Sequence, residues 1–258
     1  MTRLESYCID SVNNQVILLD DSDKVLIKDY NGNLISEFKS PEMANGVIRL
    51  DEKRLAFASQ GEHLVYITDR TGKEILRIKN PGLIAYNPVF FPLIRMGNDI
   101  LLKRELNDTL LLLNNDTLKP RILVDYGQQA LTGQQYIEAA TQPGKTSISN
   151  EAMWDTSIHG FSNGIMTFQF GFNRKTMFGY SDLINRKTIV FEWKKVINDP
   201  VLHKGFFPMR SIREDHFSGV FIPGYMDMDS LPDILKNVGP INSNDNPIVV
   251  LYRFIFPL

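Results

Sequence analysis

The chain has 258 residues, of which 43% are hydrophobic, 10% aromatic and 22% charged, and its net charge is −2. These values are typical of a globular protein and exclude collagen, a coiled coil or disorder as a description of the whole chain. The balanced charge argues against a broad basic surface for nucleic acid. The single cysteine excludes an internal disulfide framework and a cysteine-based zinc knuckle.

The N-terminal residues lack the apolar region of a signal peptide. No apolar run reaches the roughly 18 residues that a transmembrane helix needs, so we expect no transmembrane segment. Cys8 is therefore expected to be a buried structural thiol.

The first third of the chain predicts three antiparallel strands at residues 16–19, 25–30 and 33–38. Asn31-Gly32 separates the last two, and this pair favours a tight hairpin because both central residues of such a turn need a positive φ. The pattern indicates a β-meander.

The same pattern returns about forty residues later. A shift of forty superposes Asp29 on Asp69 and Gly32 on Gly72, and strands are predicted at 54–59, 63–69 and 73–78. A sheet repeated at this period is typical of a β-propeller. We therefore predict an all-β fold, a β-propeller of about five to six blades with a complete or an incomplete ring, and one short helix near the C-terminus.

Three later units follow the pattern less regularly. Their strands are predicted at 100–104, 109–113, 121–126, 165–170, 176–181, 188–193, 217–222 and 248–254. The chain is expected to be a single propeller domain, 1–258, with units at roughly 10–40, 50–80, 98–127, 151–197 and 208–258.

Two segments interrupt these units. Residues 128–150 are polar and nearly uncharged, which predicts a long loop, and loops of that length usually carry function. Residues 224–246 predict a helical insertion, with a cap at Asp229 or Ser230, Pro232 in the first turn and Gly239 at the end.

The middle of the chain resembles a known family. Residues 107–112 read NDTLLL and residues 118–127 read LKPRILVDYG; residues 246–252 read NPIVVLY. These stretches are similar to motifs of the six-bladed β-propeller proteins of Gram-negative anaerobes, whose blades are NHL-like and whose members mostly lack an assigned activity.

The resemblance implies a fold and an exported or lipoprotein setting, in the periplasm or at the cell surface, rather than a reaction. Family members are generally longer and carry an export signal, so the chain is expected to be shortened at its N-terminus. Either the first blades are missing, or residues 3–9 supply the strand that closes the ring. Without a signal, the compartment stays open.

Motifs for cofactors and metals are absent from the sequence. There is no phosphate loop and no dinucleotide fingerprint. The histidines, His63, His159, His203 and His216, form no zinc-binding spacing. We expect no cofactor and no metal.

Three carboxylates give the best argument for an enzyme. Asp51, Asp99 and Asp215 each lie in a polar pair before a predicted inner strand, where propeller glycosidases place their acids. Two carboxylates roughly 5–9 Å apart could hydrolyse a glycoside. Aspartate is also a favoured turn residue, because its side chain caps its own backbone.

Four other residues are candidates for binding: Trp154, His159, Arg210 and Arg213. Trp154 and His159 lie in an aromatic segment, and the two arginines precede a predicted inner strand. The sequence favours a non-catalytic scaffold that binds an unknown protein or carbohydrate ligand, with no nucleic acid partner. The alternative is a propeller glycoside hydrolase or lyase that uses Asp51, Asp99 and Asp215.

Overall fold

Short apolar runs separated by polar turns form antiparallel strands throughout the described chain. The computed structural model describes residues 4–59, 62–80, 92–104, 109–114, 116–130, 135, 138, 153–162, 164–173, 175–192, 207–213, 216–221, 240–242 and 248–252. At 154–156, 162, 207–213, 216–221 and 248–252 the description extends to the backbone alone.

Three four-stranded sheets occupy the first half of the chain. The first contains β1 (Leu4–Asp10), β2 (Gln15–Asp20), β3 (Lys24–Asp29) and β4 (Leu34–Lys39). The second contains β5 (Ala44–Arg49), β6 (Arg54–Ser59), β7 (His63–Asp69) and β8 (Glu74–Lys79). The third contains β9 (Leu93–Met96), β10 (Asp99–Lys103), β11 (Thr109–Asn114) and β12 (Thr117–Leu123).

Two further sheets follow. The fourth contains β13 (Trp154–Ser162), β14 (Ile165–Phe172), β15 (Lys175–Asp182) and β16 (Lys187–Glu192). The fifth contains β17 (Phe207–Arg213), β18 (His216–Phe221) and β19 (Ile248–Tyr252). In every sheet the strands pair with their sequence neighbours in chain order.

This repeated antiparallel meander confirms the predicted all-β propeller class. The chain divides into two compact units, Met1–Ser157 and Ile158–Leu258. Beyond the strands, Gly127–Gln129 form a single 3-10 turn, and Gln135 and Glu138 adopt helical backbone. The helix predicted within 224–246 lies almost entirely outside the described residues, as does most of the predicted loop 128–150.

Most predicted strands are present, but the first strand of each sheet is missing from the predicted strands, apart from the alternative at residues 3–9. These five strands carry weak signals: β5 contains Asn45-Gly46, which reads as a turn, and β17 contains Pro208. The turn that holds Asp51 and the turn just before Asp99 join the first and second strands of their sheets, as Asn13-Asn14 does in the first sheet.

Two other predictions need correction. Residues 3–9 were candidates for a ring-closing strand, whereas β1 pairs with β2 and completes the first sheet. The strand predicted at 121–126 is β12, which ends three residues earlier at Leu123. The following residues lead into Gly127, whose φ of 57° ends the extended backbone.

One hydrophobic cluster joins the first three sheets. Alternate residues of β2 and β3, such as Ile17 and Val25, point to one face and are fully buried. They pack with Phe57 of β6 and with Ile100 of β10 in the same cluster. Cys8 is buried in the same cluster, as predicted.

The fourth sheet has an aromatic core of its own. Phe168 and Phe170, predicted to share one strand face, are both buried with ring centroids 6.0 Å apart. A Cβ on the neighbouring Gly179 would lie 2.5 Å from the tip of the Phe168 ring, so the aromatic packing requires glycine there.

The repeated hairpin turn is built by an aspartate. Asp29 Oδ1 accepts hydrogen bonds from the backbone N–H groups of Asn31 and Asn33, at 2.9 and 2.8 Å. Asp69 makes the same contacts with Thr71 and Lys73 in the second sheet. The glycine in each turn has a φ of 87°, which other residues rarely adopt.

The two turn glycines differ in one respect, and this predicts different effects of alanine. Gly32→Ala has open space around the new Cβ and should cost about 1–2 kcal/mol from backbone strain alone. Gly72→Ala would place a Cβ 2.7 Å from Phe38 Cγ of the first sheet. Overpacking should then add roughly 1–3 kcal/mol.

Urea unfolding of both variants measures this difference. Because the backbone conformation is the same at the two sites, the extra loss in Gly72→Ala reports the contact between the first two sheets. Equal losses in the two variants would contradict that contact.

Candidate functional site

The first strands of neighbouring sheets pack side by side, and their contacts are polar. The backbone N–H of Val47 donates to Ser6 Oγ at 3.3 Å, and that of Arg49 donates to Cys8 Sγ at 3.3 Å. Alternation along β1 directs Asp10 to the same side as Ser6 and Cys8. The side chains of β1 therefore bond the backbone of β5.

Asp10 is a fully buried carboxylate between the first and second sheets. Its oxygens form ion pairs with Arg49 Nε at 3.3 Å and with Arg70 Nη1 at 2.8 Å. Within its own turn, the Asn13 backbone N–H and Nδ2 donate to it at 3.2 and 2.8 Å. Burial alone would raise the pKa of Asp10, but these hydrogen bonds and charges hold the pKa below its ordinary value.

Two more contacts complete this group. Arg70 Nη2 donates to the side-chain oxygen of Gln15, and Arg95 Nη2 of the third sheet donates to the Arg49 carbonyl. Burial lowers the pKa of Arg95, and the nearby charge of Arg49 lowers it further. We call Asp10, Arg49, Arg70 and Arg95 the arginine cluster. It joins three sheets and holds three guanidinium groups against one carboxylate.

A second group lies around the β5–β6 turn, where Asp51 was predicted as a catalytic candidate. Asp51 accepts hydrogen bonds from the backbone N–H groups of Lys53 and Arg54, each at 2.9 Å. It also forms an ion pair with Arg54 Nε at 2.7 Å. Arg54 Nη1 also reaches Asp116 of the third sheet at 3.1 Å. Here one guanidinium faces two carboxylates.

An open cavity of about 690 Å³ lies at this turn. Its lining is mostly charged: Asp51, Glu52, Lys53, Arg54, Asp69 and Ile75. Burial would raise the pKa of Asp51, but the hydrogen bonds from Lys53 and Arg54 outweigh it, so the pKa lies below its ordinary value. Asp51 is therefore held as a carboxylate.

The other described catalytic candidate lies in the third sheet. Asp99 begins β10, and its Oδ2 lies 3.9 Å from Arg121 Nη2 of its own sheet. Asp51 and Asp99 therefore pair with different arginines, Arg54 and Arg121. Asp215 lies outside the described residues. Asp51 precedes the second strand of its sheet, and Asp99 begins the second strand of the next sheet.

The four predicted binding residues lie in two strands. His159 in β13 is partly buried; its Nε2 lies 3.3 Å from Gln169 Oε1, and its ring stacks on Phe178 with centroids 6.0 Å apart. Burial lowers the pKa of His159 to about 4, although the Gln169 hydrogen bond opposes this shift. Trp154 begins β13, and Arg210 and Arg213 lie in β17; their side chains are outside the description.

Sequence reasoning missed the arginine cluster because its members belong to segments that were not predicted as strands. Asp10 ends β1, Arg49 ends β5 and Arg95 lies in β9. Only the spacing of 39 residues between Asp10 and Arg49, close to the repeat length, hinted that they occupy equivalent places.

The described part of the chain gives no other chemical centre. No three histidine, cysteine, aspartate or glutamate side chains converge there as metal ligands. None of the helical residues described belongs to a segment long and apolar enough to cross a membrane.

The repeated four-stranded meanders and their inter-sheet contacts define a β-propeller. The sequence pattern of a 6-bladed beta-propeller family matches residues 1–218. The chain belongs to this family, as the resemblance predicted. No curated protein shows significant similarity to the chain.

Solved structures align with the chain at low sequence identity. A Bacteroides fragilis protein provisionally described as exported aligns with a TM-score of 0.78 and 15% identity, over 98% of this chain and 77% of its own. BamB from Moraxella catarrhalis aligns at 0.42 and 10%, over 73% of this chain and 53% of its own. Streptogramin B lyase aligns at 0.46 and 11%, over 98% and 70%.

The buried Asp10 predicts an acid-sensitive contribution to stability. Its pKa in the folded state lies below the unfolded value of about 3.9, so the stabilisation is complete above that pH and is lost as the pH falls through the folded pKa. Asp10→Asn leaves two arginines without their counter-charge and should cost roughly 2–4 kcal/mol at pH 7.

Urea unfolding at pH 7 and pH 3, followed by circular dichroism, checks this. The difference between wild type and Asp10→Asn should shrink at pH 3. Asp116→Asn, which removes a more exposed ion pair, is the matched control and should cost less than about 1 kcal/mol. An equal loss at both pH values would contradict the role of the Asp10 charge.

Proposed function

We propose that the protein is a non-catalytic β-propeller scaffold that binds a protein or carbohydrate ligand. Binding would use the hairpin ends of its first three sheets, where the arginine cluster lies. Segments 128–150 and 224–246 are further candidates, as are Trp154, His159, Arg210 and Arg213. Side chains and loops held by a rigid scaffold commonly carry recognition.

The observation that carries this proposal is the bonding of Asp51. A glycosidase needs one carboxylic acid with a raised pKa to protonate the leaving group. Asp51 instead accepts two backbone N–H groups and an arginine, and its pKa is lowered. These contacts are what a turn-forming aspartate makes.

Asp99 gives similar support. Its nearest described charge is Arg121 in the same sheet, and it has no described contact with Asp51. A hydrolase or lyase built on Asp51, Asp99 and Asp215 would need all three to meet around a substrate. The described geometry offers no reason to prefer that alternative.

An exported setting is part of the proposal. The Bacteroides fragilis protein that shares the fold is provisionally described as exported, and the family motifs of this chain resemble those of exported proteins. We place the scaffold in the periplasm or at the cell surface on this basis.

A paired assay of binding and turnover tests the proposal. The wild type should bind an oligosaccharide or protein partner saturably by isothermal titration calorimetry. It should release no reducing sugar from a panel of oligosaccharides and aryl glycosides, and no unsaturated product that would indicate a lyase.

Variants make the assay decisive. Asp51→Asn and Asp99→Asn should behave like wild type in the turnover assay, with Asp116→Asn as the control for losing a charge beside Arg54. Turnover that falls a hundredfold or more in Asp51→Asn or Asp99→Asn but not in Asp116→Asn would show that the protein is an enzyme. The proposal of a non-catalytic scaffold would then be wrong.

A further inference from the structure

The arginine cluster carries more positive charge than its own contacts balance. Arg49 and Arg70 pair with one carboxylate, that of Asp10, and a third guanidinium, that of Arg95, donates to the Arg49 carbonyl. Their side chains are partly buried but remain accessible in part. Within the described residues, the local excess is two positive charges.

The hydrogen bonds leave many donors of this cluster unused. A guanidinium has five N–H donors. Arg49 uses Nε on Asp10, and its two Nη groups make no hydrogen bond to the described residues. Arg95 uses Nη2 on the Arg49 carbonyl, and its remaining groups likewise have no partner there.

Like charges make the arrangement costly without a counter-ion. Arg95 donates to the backbone carbonyl of Arg49, which brings these two residues together across the second and third sheets. Burial lowers the pKa of Arg95 and the Arg49 charge lowers it further, while Cys8 and Asp10 offset this shift only in part. An anion between the two arginines would offset both terms.

We propose that Arg49 and Arg95, with Arg70 behind them on Asp10, form a binding site for an oxyanion. The ligand group is a carboxylate or a phosphate of a small molecule or polymer, because planar guanidinium groups bind both through paired hydrogen bonds. This inference rests on the proposed scaffold function and names the class of ligand that the scaffold takes.

The Arg54 group supplies a contrast inside the same fold. Arg54 lies between Asp51 and Asp116, so its charge is more than balanced and it holds no unpaired positive excess. A site that binds anions should therefore respond to Arg49 and Arg95 and not to Arg54.

Titration with simple anions tests the site. Isothermal titration calorimetry with inorganic phosphate, and separately with acetate, is performed against chloride at matched ionic strength. We expect saturable binding of phosphate or acetate beyond that of chloride, and the better of the two identifies the ligand group. The thermal unfolding temperature should rise when the same anion is added.

Variants locate the binding. Arg95→Gln and Arg49→Gln should each lower the affinity for the anion at least tenfold. Arg95→Lys should lower this affinity less, and Arg54→Gln should leave it unchanged. If Arg95→Gln fails to fold, Arg95→Lys and the wild-type titration decide. Absence of saturable binding beyond chloride, or equal affinity in a folded Arg95→Gln variant, would overturn the proposal.

This failure differs from failure of the scaffold proposal. If no anion binds, the proposed ligand class is wrong, but the prediction that the protein shows no turnover still stands. Turnover dependent on Asp51 or Asp99 would remove the scaffold and leave the anion site standing.

Discussion

The first half of the molecule depends on a carboxylate buried between two sheets. Asp10 has no exposed surface and holds Arg49 and Arg70, both from the next sheet, together with its own turn through Asn13. A buried charge is stable only when its partners satisfy it. The contact therefore fixes how the first strand of one sheet meets the first strand of the next, and Arg95 extends it to the third sheet.

The same inter-sheet contact is repeated with inverted chemistry. In each case, the first residue of a sheet's second strand reaches the turn between strands three and four of the following sheet. Gln15 meets Arg70 at the first boundary, and Arg54 meets Asp116 at the second. The Gln15–Arg70 contact lies beside a surplus of arginine, whereas the Arg54–Asp116 contact is neutralised by two carboxylates. The fold repeats the geometry, and the sequence at each boundary sets its chemistry.

The propeller class was predictable from sequence because the repeat is strongest where the hairpin turns are best formed. Asp29 and Asp69, with Gly32 and Gly72, mark equivalent turns forty residues apart, and the structure gives them the same hydrogen bonds. Strands two to four are short apolar or alternating runs that are adjacent in sequence, so local patterns suffice for them. First strands are specified by packing against neighbouring sheets. Their turn-like residues, such as Asn45-Gly46, therefore concealed them.

The arginine cluster could not be predicted from the sequence, because it too depends on packing between sheets. Its residues come from the first strands and from a turn of the next sheet, and only the packing of sheets brings them together. Asp51 forms the turn contacts that its residue type predicted. Its partner Arg54 lies three residues along the chain and was visible, whereas Asp116, 62 positions beyond Arg54, was not.

A double-mutant cycle between Asp10 and Arg70 tests this account most directly. Free energies of unfolding of Asp10→Asn, Arg70→Gln and the double variant give the coupling between the two side chains. We predict a coupling of about 1–3 kcal/mol at pH 7 that shrinks at pH 3, because below the unfolded pKa of about 3.9 the unfolded chain takes up a proton at Asp10. Additive losses at pH 7, with no coupling, would contradict the claim that the buried carboxylate holds the sheets together.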